Sequence, residues 1–122
     1  MTEPLMILVA GPYRSGTDDD PGRIAANHRR IQAACLDLFR AGHLAVNGED
    51  LALPLASLAG SRTVGDAAFD EMFHPMGRRL VARCDGVLRL PGPSAGSDEM
   101  VALAEARGAP VWTSVDEIPA AR

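Results

Sequence analysis

Lysine is missing from this chain: all twelve basic residues are arginine. That absence excludes a phosphate-binding loop of the usual lysine type, a Schiff-base lysine and any general base built on an amine. Cysteine is scarce. Cys35 and Cys84 lie far apart, each inside an apolar-patterned segment, and read as buried free thiols rather than a disulfide. There is no CxxC pair and no His-rich ligand spacing, so a structural metal has no support in the sequence. No apolar run reaches the length of a membrane span, and the opening MTEPLMILVAG is too short and too acidic for a signal peptide. A cytoplasmic protein with no membrane partner is expected. The net charge of −4 is mild and gives no reason to expect a nucleic-acid partner.

What is present is ordinary for a globular protein: 47% hydrophobic residues, 23% charged, over 122 residues. That length predicts a single domain, 1–122, with room for one modest core. Residues 5–10 (LMILVA) form a continuous apolar run, the mark of a central parallel strand covered on both faces. After the polar loop GPYRSGTDDD, Asp20 caps a helix and Pro21 takes its first position. Ile24, His28, Ile31, Cys35, Leu38 and Phe39 keep helical spacing until Gly42 ends it. A short strand is expected at 43–47, with a turn at Asn47-Gly48. Residues 49–63, apolar but interrupted by Pro54, read as a short helix or irregular cover. Phe69, Met72, Phe73, Met76 and Leu80 mark a helix face, which Pro75 divides, so two shorter helices are expected to meet near His74. A strand at 85–90, a helix at 97–107 and a last strand near 110–114 complete the pattern.

Strands alternating with helices imply parallel βαβ units. The expected fold is α/β, a small doubly wound parallel sheet in a flavodoxin- or Rossmann-like three-layer sandwich. In the commonest order the second strand lies outside the first, and the third pairs on the first strand's other side. Ligands then bind beyond the carboxyl ends of strands one and three, where the winding reverses. Those ends carry GPYRSG and PGPSAGSDE, the two most glycine-rich loops of the chain.

Gly11 and Gly96 allow backbone to approach a ligand closely. Loop amides and the following helix start make an anion site, with the Ser94 and Ser97 hydroxyls as further donors. Arg14 offers a cation and a two-point fork for a phosphate or carboxylate, and Tyr13 a ring face for a base or sugar. Asp98 and Glu99 fall in the expected first turn of that helix. The dipole favours carboxylates there in any protein, so each reads as either a helix-end residue or a reagent.

The stretches VAGPYRSG and CDGVLRLPGPSAGSDEMVALAEARGAPV, with Asn27 between them, resemble the nucleoside 2-deoxyribosyltransferase family in its broad sense, which includes nucleoside 5′-monophosphate N-glycosidases. The likeness follows nearly the whole chain in element order, while the specific motifs are confined to the quoted stretches. It implies cleavage of an N-glycosidic bond by a Glu nucleophile on the helix after the third strand. It also implies a sugar and any 5′-phosphate held by the two loops, and a site often completed by a neighbouring subunit. On that resemblance Glu99 is nucleophile or electrostatic stabiliser, and Asp98 an accessory acid. Gly11, Tyr13, Arg14, Ser94, Gly96 and Ser97 hold a nucleoside or nucleotide. No cofactor is implied, because glycosyl transfer needs neither redox chemistry nor metal.

The chemistry itself asks for carboxylates: glycosyl cleavage passes through an oxocarbenium-like state that a nearby carboxylate stabilises or captures. Asp85, Asp70 and His74 are further candidates; His28 reads as a core or interface residue. Apolar stretches such as LALPLASLAG favour a homodimer.

In the family pattern the nucleophile stands four residues after the turn glycine, with Ala, Gly and Pro four, eight and ten residues further on. Counted from Gly96, and back from Ala104, Gly108 and Pro110, that register falls on Met100. Glu99 is one position early, a rotation of about 100° on a helix. The spacing of the family's second acid falls on Gly77. Two readings follow: an N-glycosidase or deoxyribosyltransferase-type enzyme, or a non-catalytic module that binds a nucleotide or other phosphorylated metabolite. A nicotinamide or flavin enzyme is disfavoured by the lack of GxGxxG in the first loop.

Overall fold

The structure, a computed structural model, describes residues 3–121. Strands β1 (Met6–Ala10), β2 (Leu44–Val46), β3 (Gly86–Arg89) and β4 (Val111–Trp112) form one sheet of order β2-β1-β3-β4 with every pair parallel. Helices α1 (Pro21–Arg40), α2 (Gly48–Leu58), α3 (Ala67–Val81) and α4 (Ala95–Ala106) connect them, and a 3₁₀ turn spans Val115–Glu117. This is the doubly wound α/β sheet that the alternation of strands and helices predicts.

Both parities of β1 are apolar because both of its faces are covered. Ile7 and Val9, with Leu88, pack against Ile31, Ala34 and Leu38 of α1 and against Ile118. Leu8 and Ala10, with Val87, meet Val81, Cys84 and the α4 residues Met100 and Ala104. A third cluster, Tyr13, Ile24 and Phe69 with Leu53, Val64 and Phe73 against it, forms beyond β1. Phe39, expected on the core face of α1, is 69% exposed. It follows Leu38 by one position, about 100° round the helix, and so leaves the face that Leu38 buries.

Caps set the helix boundaries. Asp20 accepts the Arg23 amide at 2.9 Å, with Pro21 at the first helical position. Asn47, expected in a turn, instead caps α2 by accepting the Asp50 amide at 2.8 Å. Pro54 sits inside α2, and α3 runs unbroken through Pro75 where two helices were expected. An internal proline removes one hydrogen bond and usually costs about 3 kcal/mol. In α3, packing of Phe69 and Val81 and a strong cap at Asp66 offset it. The Asp66 carboxylate accepts the amides of Phe69 (2.9 Å), Arg62 (2.8 Å) and Thr63 (3.2 Å) and the Ser61 hydroxyl (2.9 Å).

At the amino ends of the strands, buried His43 joins distant segments. Its Nδ1 accepts the Leu5 amide at 3.1 Å, and its Nε2 donates to the Pro119 carbonyl at 2.8 Å. Beside it the Ala121 amide donates to the Ala41 carbonyl at 2.7 Å. Gly42 has φ +95°, and a Cβ there would stand 2.3 Å from the Ala121 carbonyl oxygen, so only glycine fits.

Candidate ligand-binding cleft

A cleft of about 450 Å³ opens beyond the carboxyl ends of β1 and β3, within the range of small-molecule sites. The end of β1 and Gly11 form its base, and the first loop closes one side with Tyr13, Arg14, Asp18 and Asp19. Gly48 and Glu49 enter from the start of α2, and Phe69, Asp70, Phe73, His74 and Gly77 from α3. Ser94, Ala95, Gly96, Ser97 and Met100 complete it from α4 and its cap. The cleft thus opens at the end of the sheet that the topological argument selects.

Internal hydrogen bonds fix the first loop. Buried Thr17 donates its hydroxyl to the Arg14 carbonyl and accepts the Asp19 amide at 3.2 Å. The Asn27 side chain donates to the Tyr13 carbonyl at 2.9 Å. Asp18 and Asp19 both adopt left-handed backbone (φ 51° and 56°), a conformation aspartate tolerates better than most residues. That bend returns Asp19 onto Arg14, with Nε–Oδ1 at 2.5 Å and Nη2–Oδ2 at 2.9 Å. The bond raises the proton affinity of Arg14 and holds the Asp19 carboxyl below its ordinary range. Arg14, expected to offer its fork to a ligand, thus spends two of its N–H groups on Asp19.

Of five aromatic residues in the chain, three line this cleft. Phe69 and Phe73 stack with centroids 4.5 Å apart, Tyr13 lies 5.3 Å from Phe73, and His74 meets Phe73 edge-on at 5.6 Å. Burial, reinforced by the Glu49 charge, pushes the Tyr13 hydroxyl above its ordinary pKa. His28, on α1, touches Tyr13 edge-on and bonds Asp50 at 2.7 Å, linking α1 to α2.

The start of α4 differs from the sequence expectation by two residues, and the difference decides which side chains face inward. Ser94 caps the helix: its hydroxyl accepts the Ser97 amide at 3.1 Å and donates to the Ser97 hydroxyl at 2.9 Å. Ala95 and Gly96, whose amides a helix start leaves open, line the cleft. Ser97, Met100 and Ala104 share the buried face, as their three- and four-residue spacing requires. Asp98 and Glu99 fall on other faces and are not among the cleft-lining residues. Asp98, with a side chain 72% exposed, pairs with Arg89 at 2.9 Å, while Glu99 pairs with Arg78 at 3.2 Å. Met100 occupies the inward position, packed on Gly77, where a Cβ would stand 3.2 Å from its sulfur.

Gly11, Tyr13, Arg14, Ser94, Gly96 and Ser97 are thus brought to one cleft, and Asp98 and Glu99 are not. Among the further candidates, Asp70 and His74 line it, with His74 against Gly96. Asp85 lies at the opposite end of the sheet, where it accepts the Met6 amide at 2.8 Å.

Sequence reasoning missed Glu49. Partly buried at the second position of α2, its carboxyl is pushed above its ordinary pKa by burial, against the opposing pull of its own amide and of His28. Neighbouring Asp50 goes the other way. Burial alone would raise it, but hydrogen bonds from Asn47, His28 and Gln32 hold it below the ordinary range. The available signal was Asn47 followed by two acids, a helix-start pattern at a strand's end. Reading Asn47-Gly48 as a turn hid it.

Among the described residues, no group of three or more His, Cys, Asp or Glu side chains is gathered in a way that would hold a metal ion. Among them, too, no helix is long and apolar enough to cross a membrane. No protein-family model matches the chain, and no curated protein matches it.

Proposed function

We propose that the cleft binds a nucleoside or nucleoside 5′-monophosphate, and that the protein is an N-glycosidase or deoxyribosyltransferase-type enzyme allied to the nucleoside 2-deoxyribosyltransferase family. The observation that carries this reading is one cleft joining an aromatic wall, two acidic side chains on separate helices and an open helix start. Tyr13 and Phe73 provide apolar ring surface for a base, beside the polar groups that fix its orientation. Asp70 supplies the negative charge that an oxocarbenium-like sugar needs as its bond to the base lengthens, and Glu49 adds a second acidic side chain from α2. Ser97, Ala95 and Gly96 accommodate a sugar hydroxyl or a 5′-phosphate. Asp98 and Glu99 have no reacting role in this scheme, because both are engaged by arginines off the inward face. The reading includes a pair of chains as the working unit.

Incubation with a panel of nucleosides and their 5′-monophosphates, followed by chromatography for free base, tests the proposal. Release in proportion to protein is the expected result; no release from any member of the panel removes cleavage from the scheme.

Met100 favours a second reading. A thioether where the resemblance asks for a nucleophile fits a module that binds the same ligands and leaves them intact. In that case the ligands raise the melting temperature without turnover, by an amount equivalent to about 2.7 kcal/mol at a hundred times Kd.

A further inference from the structure

We infer that Glu49 is the catalytic proton donor of this cleft, acting from the α2 wall in place of an acid on α4. The inference rests on the cleavage reading above and names the residue that performs it. An acid at the second position of a helix is ordinarily a solvated partner of the helix dipole, which lowers its proton affinity. Glu49 departs from that pattern in placement: it is partly buried and forms part of the cleft wall beside Gly48, whose backbone approaches Gly77 of α3. Its neighbour Asp50 takes the hydrogen bonds from Asn47 (2.9 Å), His28 (2.7 Å) and Gln32 (3.0 Å). Two adjacent carboxyls are thereby shifted in opposite directions, Glu49 raised by burial and Asp50 lowered by its hydrogen-bond partners.

The groups around Glu49 are consistent with that duty. Glu49 interacts electrostatically with His28 and Cys35 of α1 and with Tyr13 of the first loop. Asp70 and His74 of α3 share the cleft, and Arg14, its guanidinium there, is held by Asp19. The Glu49 carboxylic acid gives its proton to a ring nitrogen of the departing base as the C1′–N bond breaks and its electron pair leaves with the base. Water, the co-reactant, forms the new C1′–O bond, and its surplus proton returns to the Glu49 carboxylate. Nucleoside plus water gives sugar plus free base. Asp70 supplies negative charge to the sugar cation.

The test compares base release across pH for the wild type, Glu49→Gln, Glu49→Asp, Asp98→Asn and Glu99→Gln, with ligand-induced melting shifts measured on each. Loss of a positioned general acid lowers the rate by about a hundredfold or more, so Glu49→Gln is expected to lose at least that much. It should keep its ligand-induced melting shift and lose the decline in rate that the wild type shows as pH rises. Glu49→Asp, which retains the acid on a shorter arm, should retain part of the rate and that decline. Asp98→Asn and Glu99→Gln should release base as the wild type does. Wild-type release with an equally fast Glu49→Gln overturns the role of Glu49 and leaves the cleavage reading standing. Absence of release from the wild type overturns both.

Discussion

Among single side chains, Glu49 is where stability and chemistry pull in opposite directions. Burial raises its proton affinity in the folded protein, so its ionised form is disfavoured there relative to the unfolded chain. Below the ordinary glutamate pKa of about 4.3 both states hold the proton and there is no difference between them. As pH rises past that value the unfolded chain ionises first, and stability is lost until the folded group has ionised too. Glu49→Gln should therefore melt above the wild type at about pH 7 and converge with it near pH 3, as thermal melts at the two pH values will show. A variant that melts lower at neutral pH contradicts the assignment of burial as the dominant influence. The sequence marked Gly11, Tyr13, Ser94 and Gly96 because glycine, aromatic and hydroxyl residues in loops advertise close approach. It left Glu49 unmarked because Asn47-Gly48 reads as a turn, which hides the helix start that the two following acids mark. At residues 98–100 the spacing from Gly96 and back from Ala104, Gly108 and Pro110 already put Met100, not Glu99, in the nucleophile's register, and it is Met100 that lines the cleft.

At the scale of elements, caps decided more than propensity did. Asp20-Pro21 was legible, and α1 begins where that pair places it. Pro75 carried the opposite lesson. Proline reports a local cost, while the continuity of α3 depends on contacts with α2 and α4 that no local pattern displays. Asp66 organises the start of α3 and thus the helix that presents Phe69, Asp70, Phe73 and His74 to the cleft. Hydrogen bonds from the Arg62, Phe69 and Thr63 amides hold its carboxyl well below the ordinary aspartate range. Its ionised form is thus favoured by folding, a contribution present above the unfolded pKa of about 3.9 and lost as pH falls through the lower folded value. Asp66→Asn should lower the melting temperature at neutral pH, and the gap to the wild type should narrow as the solution is acidified below about pH 4. A gap that stays constant to low pH contradicts the charge-based account.

For the whole molecule, sheet order was the most legible property, because one apolar strand with both parities hydrophobic has to lie in the middle. Surface assembly was less so. Leu58 (86% exposed), Phe39 (69%) and Leu44 (56%) lie on α2, α1 and the three-residue edge strand β2. Short edge strands resist uncontrolled pairing, yet large exposed apolar side chains favour a defined partner. The proposed pair of chains predicts twice the chain mass in sedimentation equilibrium at rising concentration, and a shift toward the single-chain mass in a Phe39→Asp, Leu58→Asp double variant. A single-chain mass at every concentration removes the dimer.

The junction at His43 has a topological consequence. Leu5 and Pro119 bind opposite nitrogens of one imidazole, so segments far apart along the polypeptide meet within one ring's width, at the end of the sheet away from the cleft. Between Leu5 and Pro119 the backbone path is nearly a closed circuit, and a covalent link across that seam leaves the cleft end of the sheet untouched.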